Sequence, residues 1–305
     1  MNQSCAPRDD LSRIVVGTAG FGGEYGGIGQ VSEHEIHDLI DVCLSVGLCI
    51  FDTAPAYGEA ENRLGKWLPK QAQIWTKLEH HLLPGPGLAA DVERSLEASL
   101  GRLRRDRVEV LQWHNWPLDL ARDQYFARAW QSIGRDPRVG SRGASTYGAR
   151  DAIAAAASGL FDLVQVEWNL LNQGVVRELA TGRLPQGVTI AVRSVFLQGV
   201  LWSRGPLPSH LAGLGYSLEA LRRIASDWGV EVGALAIRAA LDLPGSPWVI
   251  LGLNNASEVP MVIKGAALPH LTREQSLVLT ALDRTGDSMV DPRTWSPSPD
   301  SPGPL

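Results

Sequence analysis

The chain has 305 residues, 44% of them hydrophobic and 20% charged, and its 28 Lys+Arg against 33 Asp+Glu leave a formal net charge of −5. That balance is ordinary for a soluble globular chain and excludes a mainly disordered, fibrous or strongly basic nucleic-acid-binding protein. The length suits two domains of about 150 residues or one α/β barrel of about 250 with additions, and ten Trp against five Tyr and five Phe want a use.

After a polar N-terminal arm, residues 1–12, short apolar or β-branched runs alternate with segments of helical period. Residues 13–17 predict a strand. Ser32 with Glu35 forms a capping box, and Ile36, Leu39, Ile40, Cys43 and Leu44 then mark one buried helical stripe. Strand 49–52 is followed by helix 60–68, strand 74–77 by helix 90–103, and strand 108–114 by helix 122–133. Strand 139–145 precedes helix 149–157, and strand 162–168 precedes helix 175–181. Strand 188–194 leads into a longer helical stretch, 218–228 and 232–241. Residues 248–251 predict the last strand, and residues 272–282, opened by a second capping box of Thr272 and Gln275, a closing helix. Residues 291–305 predict a disordered Pro/Ser-rich tail.

Eight strand–helix units over residues 13–290 demand a parallel sheet with right-handed crossovers, and the fold class expected is a single-domain α/β protein, a (β/α)8 TIM barrel. An open dinucleotide-binding sheet would carry G-x-G-x-x-G ahead of a helix, and no register of the glycine-rich residues 17–29 supplies it. Cys5, Cys43 and Cys49 sit in no CxxC or Cys/His metal spacing, which fits a reducing, cytoplasmic setting without a metal site. The N-terminus reads as no signal peptide and no run is long enough to span a membrane. No membrane or nucleic-acid partner is expected, and the chain is expected to be a monomer or small homo-oligomer.

Barrel chemistry sits where strands end. Strand two ends at Asp52, with Tyr57 five residues on; strand three ends at Lys77 and strand four at His114. Together these form a proton-donor set. A phenol has a pKa of about 10, a neighbouring ammonium is expected to lower it, Asp52 would orient Lys77, and His114 would hold a substrate oxygen while Tyr57 protonates it. Each residue alone also has a plain structural use; their placement at consecutive strand ends is what points to chemistry.

At these residues the sequence resembles the aldo-keto reductase family. Phe51-Asp52-Thr53-Ala54-Pro55-Ala56-Tyr57-Gly58 with Glu61, Leu64 and Gly65 is similar to its first signature, Ile74–Lys77 to the segment carrying its Lys, and Leu111–Asn115 to the strand ending in its His. The resemblance implies a nicotinamide cofactor, NAD(P)(H), and reversible carbonyl/alcohol chemistry. It places Gly17 and Thr18 near the nicotinamide and gives Ser145 and Gln165 to its carboxamide, with Thr146 where the family has Asn. Glu167 is as readily a packing residue. Arg193 and Ser194 stand where the family often has Tyr-Ser. Arg193 could stack, clamp an anionic or sugar-nucleotide substrate, or serve as a structural ion-pair partner. Phe196, Gln198 and Gly199 would follow the pyrophosphate, and Gly252, Asn254 and Glu258 the adenosine end. The family position that grips a 2′-phosphate falls on Glu258, and no Lys or Arg occurs between Ile250 and Ile263; this inclines the expectation to NAD(H).

For the substrate pocket the candidates are Tyr25, Trp113, Asn115, Trp116 and Trp168, with Trp202 near the same strand ends; flat aromatic faces suit sugars and small carbonyls, though each Trp also suits the helix–barrel shell. The function expected is an oxidoreductase acting on an aldehyde, ketone or sugar. A cofactor-sensing regulatory or binding subunit on the same barrel is the alternative, and a metal-dependent lyase finds no ligand cluster, His80 and His81 having no third partner.

Overall fold

The computed structural model describes residues 10–23, 31–79, 81–181, 185, 187–203 and 205–295. Eight parallel strands close in sequence order into one barrel: β1 (Ile14–Gly17), β2 (Ile50–Asp52), β3 (Gln73–Lys77), β4 (Val108–Trp113), β5 (Val139–Ser145), β6 (Leu163–Glu167), β7 (Thr189–Arg193) and β8 (Trp248–Gly252). Around them lie α1 (Glu33–Ser45), α2 (Ala60–Trp67), α3 (Leu88–Leu103), α4 (Gln124–Ile133), α5 (Gly148–Ala157), α6 (Gly174–Thr181), α7 (Gly215–Asp227), α8 (Val232–Leu241), α9 (Val259–Ala267) and α10 (Arg273–Thr280). The expected (β/α)8 barrel is therefore the fold, and both capping boxes form, Ser32 with Glu35 and Thr272 with Gln275.

The helix that follows β8 is α9, which the sequence reading passed over in favour of α10. Pro260 and Gly265 read as breakers in residues 259–267, yet Pro260 sits at the helix start, where its missing N–H costs nothing. Gly265 is needed for close packing, since a Cβ there would meet the Ile237 side chain of α8 at 2.7 Å.

The barrel interior is built in layers. Val15, Ile50, Trp75, Val110, Leu163, Ala191 and Ile250 form a small apolar plug of their own. Side chains on a strand alternate between faces with period two. Two residues further along each of these strands stand Gly17, Asp52, Lys77, Gln112, Gln165, Arg193 and Gly252. One pleat above the apolar plug, then, the barrel turns polar, and this layer is the floor of the site.

Three pocket candidates face away from the pocket, and for Trp113 the same alternation is the reason. Because Gln112 faces inward, Trp113 faces outward, where it meets Phe126 edge-on at 5.1 Å and Trp130 at 6.1 Å. Trp116 packs edge-on against Phe161 at 5.4 Å, and the Trp130 indole N–H donates to the Leu160 carbonyl at 3.1 Å. Trp113, Trp116 and Trp168 are all buried in the shell between barrel and helices. Such aromatic pairs contribute about 0.5–1.5 kcal/mol each beyond their burial. Much of the Trp excess is therefore shell packing rather than substrate recognition.

Described residues on either side of the barrel pack onto it. Of the N-terminal arm, Asp10 is pinned to the barrel: it accepts from the buried guanidinium of Arg238 at 2.6 Å and pairs with Arg13 at 2.5 Å. Residues 291–295, read as the start of a disordered tail, instead continue the fold. Pro292–Thr294 make a short helical turn, with the Asp291 carboxylate accepting from the Arg293 backbone N–H. Residues 296–305 lie outside the described residues, as do Cys5, Tyr25 and His80.

Candidate active site

Asp52 and Lys77 end adjacent strands and are buried together. The Lys77 ammonium donates to Asp52 Oδ2 at 2.6 Å and to the Thr53 carbonyl at 2.9 Å. The other carboxylate oxygen, Oδ1, accepts from Gln112 Nε2 at 2.8 Å and from Gln165 Nε2 at 3.1 Å. The carboxylate is thus held by one cation and two amides, the kind of satisfaction that a buried charge requires. Burial pushes the Lys77 ammonium below its ordinary pKa, against the attraction of Asp52.

Tyr57 enters from the short helical turn Pro55–Tyr57 after β2. Its ring lies 4.9 Å below the Lys77 ammonium by centroid distance and stands edge-on to His114 at 6.1 Å. The turn is locked from the β1 loop: a Cβ on Gly22 would fall 1.6 Å from the Tyr57 carbonyl oxygen, so only glycine fits. The four residues expected to meet at one end of the barrel do meet there. One electrostatic expectation is corrected. Burial and the negative charge of Asp52 push the Tyr57 phenol above its ordinary pKa, and the Arg193 guanidinium opposes them.

One pocket gathers Asp52, Tyr57 and His114 with Gly17, Thr18, Asn115, Ser145, Gln165, Arg193, Ser194, Phe196, Gln198, Gly199, Gly252 and Asn254. Lys77 lies behind its wall, buried against Asp52. Ser145 Oγ and Gln165 Oε1 are 3.5 Å apart, a long contact that leaves both open to a further partner. Thr146 is buried, its hydroxyl turned 3.4 Å from the Gln165 carbonyl, so it makes no pocket wall. The loop after β7 coils through left-handed backbone at Leu197, Gln198 and Gly199, with φ of 48°, 50° and 85°. Non-glycine residues held there store strain, which is typical of functional loops.

Glu258 is engaged by its own loop. It accepts from the Asn254 backbone N–H at 2.7 Å and from Asn255 Nδ2 at 3.3 Å, and it is not among the residues lining the pocket. Burial pushes its pKa up, and hydrogen bonds from the Asn254 and Asn255 backbone oppose the shift. Lys264, the first cation after β8, pairs with Glu231 at 2.8 Å.

Arg193, singled out in the sequence, sits in a wall with Tyr147, Asp291 and Arg293, to which the sequence reading gave no role. Arg193 donates to the Thr146 carbonyl at 2.9 Å, and its guanidinium lies 4.2 Å from the Tyr147 ring centroid, with Glu167 at 3.9 Å. Arg293 approaches the same ring at 4.0 Å and pairs with Asp291 at 2.6 Å. Glu167, Arg193, Tyr147, Arg293 and Asp291 thus form a charge-compensated ladder along one wall, and the structural ion-pair use of Arg193 is realised within it. Trp202 also lines the pocket, stacked on Phe196 at 4.3 Å. Gln112 was missed too, although the period-two step from Val110 would have found it. Arg293 carried no signal, because it lay in a segment read as tail.

Among the described residues, no group of three or more His, Cys, Asp or Glu could hold a metal ion, and no helix is long and apolar enough to cross a membrane.

The fold and site define a barrel protein whose strand ends gather a buried Lys–Asp pair, a phenol and an imidazole at the floor of a loop-walled groove. The profile of the aldo/keto reductase family matches residues 13–283, and the chain belongs to that family of carbonyl/alcohol oxidoreductases. Among its relatives, the aldo-keto reductase YhdN of Bacillus subtilis (strain 168) is 22% identical over 321 residues, spanning 94% of this chain and 95% of that protein. The 6-dehydroglucose reductase of Agrobacterium fabrum (strain C58 / ATCC 33970) is 26% identical over 273 residues, spanning 82% and 87%. The glycerol dehydrogenase AKR11B4 from Gluconobacter oxydans shares the fold with a TM-score of 0.70 at 20% identity, covering 88% of this chain and 90% of that one.

Proposed function

We propose that the protein interconverts a small carbonyl compound and its alcohol with NAD(P)(H), Tyr57 serving as the general acid and base. The observation that carries this reading is the convergence of the Lys77–Asp52 pair, Tyr57 and His114 at one pocket floor. The chain's groups fit a nicotinamide dinucleotide. Ser145 Oγ and Gln165 Oε1 offer a donor and an acceptor for a carboxamide, and the exposed Gly252, where a Cβ would meet nothing within 4 Å, leaves room beside Gly17. Arg193 presents a planar guanidinium in the same wall, and the loop through Gly199 would follow the phosphates.

When bound, the nicotinamide supplies or takes up the hydride. The protein's own part is to place the proton. His114 orients the carbonyl oxygen, Tyr57 Oη donates its proton as charge develops there, and Lys77 fixes the phenol's surroundings. In the alcohol-oxidising direction Tyr57 takes the proton back. Asn115, Asn169, Asn172, Asp291 and Arg293 add amide, carboxylate and guanidinium groups to the pocket wall. They favour a hydroxylated substrate such as an aldose or polyol, in keeping with the sugar in the name of the Agrobacterium 6-dehydroglucose reductase. A panel of aldoses and simple carbonyls with all four nicotinamide cofactors, followed by reduced-nicotinamide absorbance, tests this; no turnover with any would leave the cofactor-sensing alternative standing.

For the cofactor we propose that NAD(H) is used at least as well as NADP(H). Glu258 spends its hydrogen-bonding capacity within its loop, yet its negative charge still opposes a 2′-phosphate, and no Lys or Arg lies between Ile250 and Ile263. The expected result is a kcat/KM for NAD(H) equal to or above that for NADP(H). A preference for NADP(H) on the order of a hundredfold, close to 3 kcal/mol, would refute it.

A further inference from the structure

The polar layer contains one buried side chain with no part in the chemistry above: Gln112 on β4. Its Nε2 donates to Asp52 Oδ1 at 2.8 Å, and its Oε1 accepts from Gln165 Nε2 at 3.0 Å. Gln165 Nε2 also donates to Asp52 Oδ1 at 3.1 Å. An ionised carboxylate only accepts hydrogen bonds, whereas an amide nitrogen has two hydrogens to give. Asp52 therefore turns both glutamine nitrogens toward itself, and the second hydrogen of Gln165 goes to Gln112. With both hydrogens engaged, Gln165 leaves its oxygen facing Ser145 and the pocket, at 3.5 Å from Ser145 Oγ. The Gln112 side chain has little room to do otherwise. It is fully buried, and the backbone of Gly143 packs so closely that a Cβ there would meet Gln112 Cγ at 2.7 Å.

We propose that Gln112 is a positioning residue that locks the Gln165 amide with its oxygen toward the pocket, so that the site accepts a hydrogen bond from the carboxamide N–H of nicotinamide, and that it ties this recognition to the Asp52–Lys77 pair. The inference rests on the nicotinamide reading above. Cofactor occupancy and proton-transfer geometry then share one hydrogen-bonded triangle, Asp52–Gln112–Gln165.

The test compares the Kd of NADH with that of its reduced 3-acetylpyridine analogue, which lacks the amide N–H. Wild type is expected to prefer NADH. Gln112→Leu removes the acceptor, and the preference should shrink by about 3–10-fold, the loss of one hydrogen bond, with kcat also reduced. Gln112→Glu keeps an acceptor toward Gln165 in either protonation state and should retain the preference. Its kcat should fall as pH rises, because the ionised acid no longer donates to Asp52. The charged groups facing that acid are Asp52 and Lys77, and Gln165 is neutral. A purely structural role would not separate the two variants in this way, and Gln112→Glu remains decisive should Gln112→Leu not fold. Equal preference in wild type, an unchanged preference in Gln112→Leu, or its loss in Gln112→Glu with unaltered Tm would overturn the assignment. Wild type binding neither dinucleotide would instead bring down the functional reading itself.

Discussion

Tyr57→Phe is expected to lower kcat/KM for carbonyl reduction by about 10²–10⁴-fold, the usual contribution of a positioned acid or base. The Kd for the dinucleotide should stay within about twofold, because the lost interaction acts only in the transition state. Phenylalanine removes one oxygen and keeps the ring that packs 4.9 Å from the Lys77 ammonium and 6.1 Å from His114. The fold should therefore be undisturbed, and unchanged Tm checks this. Activity surviving within a few-fold would show that another group supplies the proton.

The direction of the Tyr57 shift adds a pH signature. Burial, then the charge of Asp52, raises the phenol above its ordinary value of 10.0, with Arg193 opposing. A raised pKa keeps the proton on Tyr57 through neutral and mildly alkaline pH, so the acid needed for reduction stays present. The base form needed for alcohol oxidation is then scarce and grows with pH. The kcat/KM for reduction should be flat on the alkaline side of neutrality while that for oxidation climbs. Arg193→Ala removes the opposing cation and should move the oxidation profile to higher pH. A shift to lower pH would place the controlling charge elsewhere.

How much of this was legible in the sequence depended on which physical signal each residue carries. The strands and most helices announced themselves through apolar period and capping residues, which act locally. Asp52, Lys77 and His114 were legible because a polar residue closing an apolar strand is unusual, and Tyr57 because its motif is distinctive. Nearness to a strand end alone does not tell the facing of Trp113, which the pleat decides, or of Trp116, which lies beyond the strand and is placed by Phe161. Counting by two from Val110 puts Gln112 inside and Trp113 outside. Arg293 and Asp291 were beyond reach for another reason. Their place over the barrel mouth comes from Tyr147, far away in the chain, and a Pro-flanked segment with no period looks like tail until its partner is known. Glu258 was found by offset, yet its hydrogen bonds to Asn254 and Asn255 depend on a turn that the sequence pattern does not specify.

Lys77→Met is the second large effect, and it separates stability from chemistry. Breaking a buried ion pair by removing one partner costs about 3–5 kcal/mol, because the remaining charge is left uncompensated; for a domain of this size that is a Tm fall of roughly 6–10 °C. The partner here is Asp52, 3% exposed, which would keep only the amides of Gln112 and Gln165. Burial opposes the attraction of Asp52 at the Lys77 ammonium, and because the desolvation of a buried pair can match its Coulombic gain, most of the expected cost is the stranded carboxylate. Adding Asp52→Asn to Lys77→Met removes that charge while keeping an oxygen that both glutamine amides can donate to. The double variant should therefore regain at least about half of the lost stability, a non-additivity expected of groups in direct contact. Activity should not return with it. Without the ammonium over the Tyr57 ring, reduction should remain at least about 10²-fold below wild type in both variants. Recovery of turnover together with Tm in the double variant would mean that Lys77 serves the fold and not the proton transfer.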